Sequence, residues 1–204
     1  AYKDKSGGLA VGWRFLSGEW YYFNTTGEAK TGWFTYGNSR YYGYEEGEKK
    51  GAMATGLVEI GGELYYFRPS DCVQETGWKN IEGKWYYFNA TGEAQTGWFM
   101  YGNSQYYGYK EGKNKGAMAS GLMELEGKMY YFRPSDCVQL SGILYIDGVM
   151  HCFKNAEEGK DRYEIGYEWE DPEAEYGWLI WENGDRAYKD KSGGLAVGWR
   201  FLSG

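Results

Sequence analysis

The sequence predicts an all-β fold, an elongated β-solenoid or superhelix of stacked β-hairpin repeats of about 20 to 24 residues. Three observations lead to this fold class. Aromatic residues make up 20% of the 204 residues, with 22 Tyr, 10 Trp and 9 Phe, and such residues favour strands. The 33 glycines recur at regular intervals, which indicates many tight turns. No segment shows sustained apolar i, i+3, i+4, i+7 spacing with caps, so no helix is predicted.

Residues 18–33 show how one repeat is composed. Glu19–Phe23 is dense in aromatics and predicts a strand. Residues 24–27 have the composition of a turn, because Asn tolerates left-handed backbone angles and Gly has no Cβ. Residues 28–31 are predicted to form a short return strand, which would make this stretch a hairpin. Because aromatics lie on both of its faces, the hairpin needs neighbours to bury them.

Repeats organise residues 1–204, which we predict to form a single repeat array. Residues 12–76 align without gaps to residues 77–141, with 45 of 65 positions identical, so these are two homologous three-hairpin blocks. Residues 142–197 form a third, degenerate block. Each repeat begins with Gly followed by an aromatic or aliphatic residue, at Gly12, Gly32, Gly56, Gly77, Gly97, Gly121, Gly142, Gly166 and Gly177, with Gly198 opening another.

The sequence of residues 1–18 returns unchanged as residues 187–204, a shift of 186 residues. Two origins are consistent with this duplication: a parent protein with tandem 186-residue units, or an engineered fusion of such units. The chain opens inside the repeat pattern without a signal peptide, which predicts an internal fragment of a longer protein. We expect neighbouring copies of the unit to join end to end, because no Ser- or Pro-rich linker separates them.

Residues 142–176 depart most from the repeat pattern. Met150, His151 and Cys152 stand where other repeats carry aromatics, and residues 166–176 contain a proline that disfavours a central strand. We expect a loop or an abbreviated hairpin at residues 166–176. His151 is the one histidine of the chain and has no partner set for catalysis, so a structural role is expected.

The three cysteines, Cys72, Cys137 and Cys152, do not have the spacing of a metal site. Cys72 and Cys137 lie in identical PSDC segments and are therefore copies of one position. The main expectation is that the cysteines are small buried residues. The alternative is a disulfide between Cys137 and Cys152 in an oxidising compartment.

Composition and charge argue against several classes of function. The net charge of −7 argues against nucleic-acid binding, which relies on basic patches. The sequence has no run of about 20 apolar residues, so no membrane insertion is predicted. It has neither a nucleophile–base set nor metal-ligand spacing, so we expect no enzyme, no cofactor and no metal.

The recurring pattern consists of Gly-Trp, a short strand, a glycine turn, WYYF, and then GEA followed by TGW. It resembles the cell-wall-binding repeat family, which includes choline-binding modules. It is similar in outline to the glucan-binding repeats of glucansucrases and the repetitive oligopeptide domains of clostridial toxins. The resemblance to choline-binding modules implies a left-handed superhelix with ligands between consecutive hairpins, in cages of three or four aromatics. Carried over by position, one cage would consist of Trp13, Trp20 and Tyr42, and its copy of Trp78, Trp85 and Tyr107.

The repeats that begin at Gly12 and Gly77 are the ones that carry both tryptophans of the pattern. Elsewhere the position of the second tryptophan is occupied by other residue types, namely Arg40, Leu64, Gln105 and Met129. We therefore expect at most a few full cages. The alternative is that the two Trp pairs serve packing alone.

The resemblance implies a non-catalytic, extracellular module of bacterial or phage origin. Such a module attaches a surface or secreted protein to choline-bearing teichoic acid or glycan in the cell wall. The alternative is a structural stalk or fibre of a repetitive surface adhesin without a small-molecule ligand, which the unchanged duplication favours. In both cases, neighbouring copies of the repeat unit are expected partners.

Overall fold

The computed structural model describes residues 2, 7–146, 149–153, 168–169, 177–180 and 186–189. Within these residues the regular structure is β-strand, apart from a single 3-10 turn at Gly112–Asn114. The predicted all-β architecture of stacked hairpins is confirmed. The chain comprises two compact units, Ala1–Ala119 and Ser120–Gly204, and each is described by itself.

The first unit consists of antiparallel hairpins of two five-residue strands. Its strands are β1 (Gly12–Leu16), β2 (Glu19–Phe23), β3 (Gly32–Tyr36), β4 (Ser39–Gly43), β5 (Gly56–Ile60), β6 (Glu63–Phe67), β7 (Gly77–Ile81), β8 (Lys84–Phe88), β9 (Gly97–Tyr101) and β10 (Ser104–Gly108). Each odd-numbered strand pairs with the next even-numbered one across a two-residue turn. In the first turn, Ser17 and Gly18 both have positive φ, 51° and 88°. This is the type I′ geometry that matches the twist of the flanking strands.

The second unit continues the hairpin pattern. Its described strands are β11 (Gly121–Leu125), β12 (Lys128–Phe132), β13 (Gln139–Leu140), β14 (Gly142–Ile146), β15 (Val149–Phe153), β16 (Glu168–Trp169), β17 (Gly177–Ile180) and β18 (Arg186–Lys189). Strand β12 pairs with β11 and β13, and β17 pairs with β16 and β18. Apart from β16, the expected loop at residues 166–176 lies outside the described residues. So do the side chain of His151 and most of the repeated segment 187–204.

One local prediction is wrong. Strand β2 and the turn at residues 24–27 form as predicted, but the partner of β2 is β1, and residues 28–31 contribute a single bridge, between Phe23 and Ala29. Asn24 explains the difference. Its side-chain Oδ1 accepts hydrogen bonds from the backbone N–H groups of Thr26 and Glu28, both at 2.9 Å. The bond to Glu28 uses an N–H group that a longer return strand would need for its ladder.

In the first unit, two consecutive hairpins are joined by the connector that follows the later hairpin of the pair. The N–H of Met53 donates to the carbonyl of Trp20, and the N–H of Ala54 donates to the carbonyl of Tyr42, both at 2.8 Å. The pattern recurs, with the N–H groups of Gln74, Ala94 and Met118 donating to the carbonyls of Arg40, Leu64 and Trp85. The backbone at the second-tryptophan position is therefore a regular contact of the stack, whichever side chain the position carries.

The core of the first unit is aromatic rather than aliphatic. Phe67 and Phe88 are fully buried, and small or flexible connector residues such as Ala54 and Met53 fill the space between the rings. Burial of each large side chain contributes roughly 1.5–3 kcal/mol. Because the clusters form between a hairpin and its neighbours, the core depends on stacking rather than on any single hairpin.

Candidate functional site

Trp13 and Trp20 meet on one face of the first hairpin. In the register of β1 and β2, Trp13 lies opposite Tyr22, and Phe15 lies opposite Trp20. Strand alternation places these four side chains on the same face. The centroids of the two indole rings are 6.3 Å apart, and the ring planes are inclined at 82°. The predicted Trp pair thus forms two nearly perpendicular walls.

Tyr41, on β4 of the second hairpin, supplies the third aromatic wall. Its ring centroid lies 4.9 Å from that of Trp13, and the planes are inclined at 55°. Tyr41 is 8% exposed, whereas Trp20 is 36% exposed. One wall is therefore fixed in the core of the stack, and another faces solvent, where a ligand can enter.

The connector after the third hairpin completes the pocket. Ser70 and Asp71 line it together with the three aromatic rings, and the volume of this open pocket is about 230 Å³. This is smaller than a site for a drug-sized ligand. Arg68 donates two hydrogen bonds to the Asp71 carboxylate, each at 2.8 Å. These bonds hold the pKa of Asp71 below its ordinary value, so the pocket contains an ionised carboxylate at neutral pH.

Cys72 anchors the Asp71 connector in the core. Its side chain is 1% exposed and belongs to a cluster with Tyr41 and Met53, against which Trp13 packs. Burial raises the pKa of the Cys72 thiol to about 11. Cys72 and Cys137 are both buried free thiols, so the main expectation for them is confirmed and Cys137 does not form the alternative disulfide.

Tyr42 lies in a different cluster from the one that its predicted cage would require. It pairs with Trp33 across the second hairpin, and their ring centroids are 5.2 Å apart. Its buried cluster also contains Ala54, Tyr65 and Phe67. The sequence spacing indicates that Tyr42 pairs with Trp33, because nine residues separate these two, as nine residues separate Tyr22 from Trp13. Alternation then directs Tyr41, rather than Tyr42, towards the first hairpin.

The second homologous block repeats the aromatic part of the pocket. Trp78 and Trp85 have ring centroids 6.3 Å apart and planes inclined at 80°. Tyr106 lies 4.9 Å from Trp78 at 54°, as Tyr41 does from Trp13. Tyr107, which the sequence placed in this cage, packs against Trp98 instead, at 5.0 Å. Two Trp pairs with the same geometry are therefore present in the first unit.

The described residues contain no group of three or more His, Cys, Asp or Glu side chains placed to hold a metal ion. Among the same residues, no helix has the length and apolarity needed to cross a membrane. What the pocket offers chemically is a set of aromatic faces beside a carboxylate. Aromatic faces attract cations through the ring quadrupole, and they do so most strongly when the cation is poorly hydrated.

Family models match both stretches of the chain that carry the Trp pairs. Residues 11–29 match a putative cell wall binding repeat, and residues 75–120 match a choline-binding repeat. The chain contains choline-binding-type repeats. The chain is 32% identical over 161 residues to glucosyltransferase-S of Streptococcus mutans serotype c, covering 78% of this chain and 11% of that protein. Glucosyltransferase-S of Streptococcus downei is 33% identical over 97 residues, covering 45% of this chain and 7% of that protein.

Two solved structures resemble this chain. CbpJ from Streptococcus pneumoniae has 28% identity and a TM-score of 0.66, covering 96% of this chain and 69% of that one. Choline binding protein F from Streptococcus pneumoniae, in the presence of a peptidoglycan analogue, has 29% identity and a TM-score of 0.58, covering 74% of this chain and 52% of that one. The chain spans about a tenth or less of the length of the glucosyltransferases that it matches.

Proposed function

We propose that this chain is a non-catalytic, extracellular binding module that holds choline groups of a cell-wall polymer between Trp13, Trp20 and Tyr41. The observation that carries the proposal is the shape of the pocket. Two indole rings at 82° and a third ring line an open pocket of about 230 Å³ beside the carboxylate of Asp71. The similarity to choline-binding protein F supports the same class of ligand.

A quaternary ammonium group fits these walls for a physical reason. It cannot donate a hydrogen bond and is weakly hydrated, so it loses little when it leaves water. Each aromatic face contributes roughly 0.5–2 kcal/mol of cation–π attraction, with the larger values in desolvated sites. The Asp71 carboxylate adds a local negative charge, and the net charge of −7 favours the approach of cations.

The angle between the indoles favours choline over a sugar. A pyranose ring presents flat faces and packs best on a flat aromatic platform. Trp13 and Trp20 form a corner rather than a platform, because their planes are inclined at 82°. A corner suits a nearly spherical trimethylammonium group, which makes contact with both walls at once.

Two features of the described residues support a role without catalysis. The buried thiol of Cys72 has a raised pKa and is therefore a poor nucleophile at neutral pH. The Asp71 carboxylate is engaged by Arg68 and remains ionised, which suits it as a counter-charge rather than as a proton donor.

A structural stalk is the second candidate function. The observation in its favour is the unchanged return of residues 1–18 as residues 187–204, which suits tandem units that set the length of a fibre. A stalk needs no ligand. Saturable binding of choline therefore separates the two functions.

The test is a titration of the full chain with choline chloride, followed by tryptophan fluorescence and by calorimetry. We expect saturable quenching and a binding heat. The neutral isostere 3,3-dimethylbutan-1-ol should bind at least about tenfold more weakly, because it has the same shape without the charge. Dextran serves as the glycan probe, and saturable binding of dextran without binding of choline would overturn the proposed ligand.

Variants locate the site. The double substitution Trp20→Ala and Trp85→Ala removes one wall from each Trp pair and should abolish most of the choline response. Trp33→Phe is the matched control, because it also removes an indole but lies outside the pocket. Unchanged choline binding in the double variant would show that the pocket is not the site. Failure of the wild-type chain to bind choline would favour the stalk.

A further inference from the structure

The second hairpin carries its own cation over its tryptophan. Arg40 occupies the position at which the first hairpin has Trp20, seven residues after the tryptophan that opens the hairpin. The guanidinium carbon of Arg40 lies 4.0 Å from the ring centroid of Trp33. This distance is well within the range of cation–π attraction. Where the first hairpin carries an aromatic wall of its pocket, the second hairpin therefore carries a charged group that lies over its own tryptophan.

The aromatic surroundings of Trp33 resemble those of a cation cage. Tyr42 and Tyr65 pack against Trp33 edge to face, with centroid distances of 5.2 and 4.9 Å. Both tyrosines are buried, whereas Arg40 is exposed. The guanidinium thus covers the ring of Trp33 in an aromatic cluster whose two tyrosines are buried.

A second contact keeps Arg40 in place. Its Nη1 donates a hydrogen bond of 3.1 Å to the carbonyl of Thr91, 51 residues along the chain, in the turn after the fourth hairpin. Gln74 donates to the same carbonyl at 2.9 Å. Held between a ring and a carbonyl oxygen, the side chain of Arg40 loses less entropy on covering Trp33 than an unrestrained side chain would.

A carboxylate also lies close to this cluster. Tyr65 donates a hydrogen bond of 3.4 Å to Glu93. The pKa of Glu93 is lowered, first by hydrogen bonds from Asn89 and Thr91 and also by the charge of Arg40. The cluster therefore combines an aromatic face with an ionised carboxylate, the same two elements as the pocket at Trp13.

We propose that Arg40 is an internal ligand that occupies a second ammonium-binding surface at Trp33, and that it keeps external quaternary ammonium groups away from this surface. The ligand class rests on the proposed function. Because Arg40 is part of the chain, its effective concentration at Trp33 is high, and an external ammonium must displace it to bind. The residue at position 40 thereby sets the number of ligands that the first unit accepts.

The experiment titrates the full chain with choline chloride and follows indole N–H signals by ¹H–¹⁵N NMR. The signals of Trp33 and Trp20 are assigned with Trp33→Phe and Trp20→Phe. Arg40→Ala exposes Trp33. Arg40→Gln, which introduces the residue found at Gln105 of the homologous block, removes the charge while keeping a donor for Thr91. Lys49→Ala is the charge-matched control, because it removes another exposed cation, which forms an ion pair with Glu19.

We expect the Trp33 signal to shift saturably in Arg40→Ala and Arg40→Gln, with choline affinity at this site raised by about five- to tenfold over the wild type, as loss of one cation–π contact predicts. In Lys49→Ala, the Trp33 signal should respond to choline as it does in the wild type. A Trp33 shift of equal affinity in the wild type, or no shift in either Arg40 variant, would overturn the proposal. The Trp20 signal reports the proposed function separately, so the two ideas can fail independently.

Discussion

The first and second hairpins have the same backbone arrangement and differ in the residue at the second-tryptophan position. In both hairpins, two five-residue strands pair across a two-residue turn. In both, the backbone carbonyl at the second-tryptophan position accepts a hydrogen bond from a connector. In the first hairpin the position carries Trp20, a wall of an open pocket, and in the second it carries Arg40, which covers Trp33. The stack depends on the backbone carbonyl at this position. The side chain can therefore be a pocket wall, as in Trp20, or a cation over the neighbouring ring, as in Arg40, without loss of the stack.

The homologous block shows which neighbours of the pocket matter. The Trp78–Trp85 pair has the same 6.3 Å separation as the Trp13–Trp20 pair. Phe15, whose ring lies 5.2 Å from that of Trp20, is replaced by Asn80 beside Trp85. The geometry of the two walls is therefore set by the hairpin register rather than by the exposed ring of Phe15.

The largest expected effect concerns how each hairpin ends. The residue that pairs with the opening glycine is Phe23 in the first hairpin and Gly43 in the second. A Cβ at Gly43 would clash with the carbonyl oxygen of Lys30. We expect Gly43→Ala to lower the free energy of unfolding by about 3 kcal/mol, measured by chemical denaturation. Gly61→Ala, which has open space around it but a φ of 62°, should cost only about 1 kcal/mol. Equal losses would mean that the close approach at Gly43 relaxes.

The adjacent tyrosines Tyr41 and Tyr42 should separate binding from packing. They are 8% and 9% exposed, so substitution by Leu should destabilise the stack similarly in both cases. Tyr41→Leu removes a wall from the Trp13 pocket and should weaken choline binding by about tenfold in calorimetry. Tyr42→Leu should leave the affinity within about twofold. If Tyr42→Leu weakens binding more than Tyr41→Leu does, the cage proposed from sequence position is the better assignment.

Asp71 should contribute less than the aromatic walls, because it is exposed to solvent and screened. Asp71→Asn is expected to weaken choline binding by about two- to fivefold. Binding of the neutral isostere 3,3-dimethylbutan-1-ol should not change. An equal loss for both ligands, measured by calorimetry, would mean that the substitution alters the shape of the pocket rather than its charge.

The pH dependence of choline affinity reports the same carboxylate. Because hydrogen bonds from Arg68 lower the pKa of Asp71, the carboxylate stays ionised as the pH falls from neutral into the ordinary range of aspartate. Affinity should therefore hold through the pH range in which an ordinary aspartate becomes protonated and fall only at lower pH. In Arg68→Ala the pKa returns towards its ordinary value, so the fall should begin at higher pH. Identical profiles for the two proteins would contradict this role of Arg68.

The smallest expected effect is that of Phe15→Asn, which copies Asn80 of the second block into the first hairpin. Phe15 is 59% exposed and contacts Trp20, one wall of the pocket. We expect choline affinity to change by less than about twofold, within the range of ordinary surface substitutions. A tenfold loss in the same titration would mean that Phe15 holds Trp20 in place.

The sequence was sufficient for the hairpins and for both Trp pairs, because these depend on short-range register. It did not identify Tyr41, since assigning the third wall requires knowing which strand face turns towards the neighbouring hairpin. Nor did it identify Asp71, which reaches the pocket from a connector about fifty residues from Trp20 along the chain. Arg40 was recognised as a departure from the pattern, but its position over Trp33 is a three-dimensional fact.

In the proposed arrangement, an ammonium ligand sits against Trp20 and not against Trp33. A crystal structure of the full chain with bound choline would show which indole ring the ligand contacts. We expect a trimethylammonium group between Trp13, Trp20 and Tyr41, within about 6 Å of each ring centroid, with Arg40 still over Trp33. Choline found over Trp33 with Arg40 displaced, or at no aromatic site of the first unit, would rule out this arrangement.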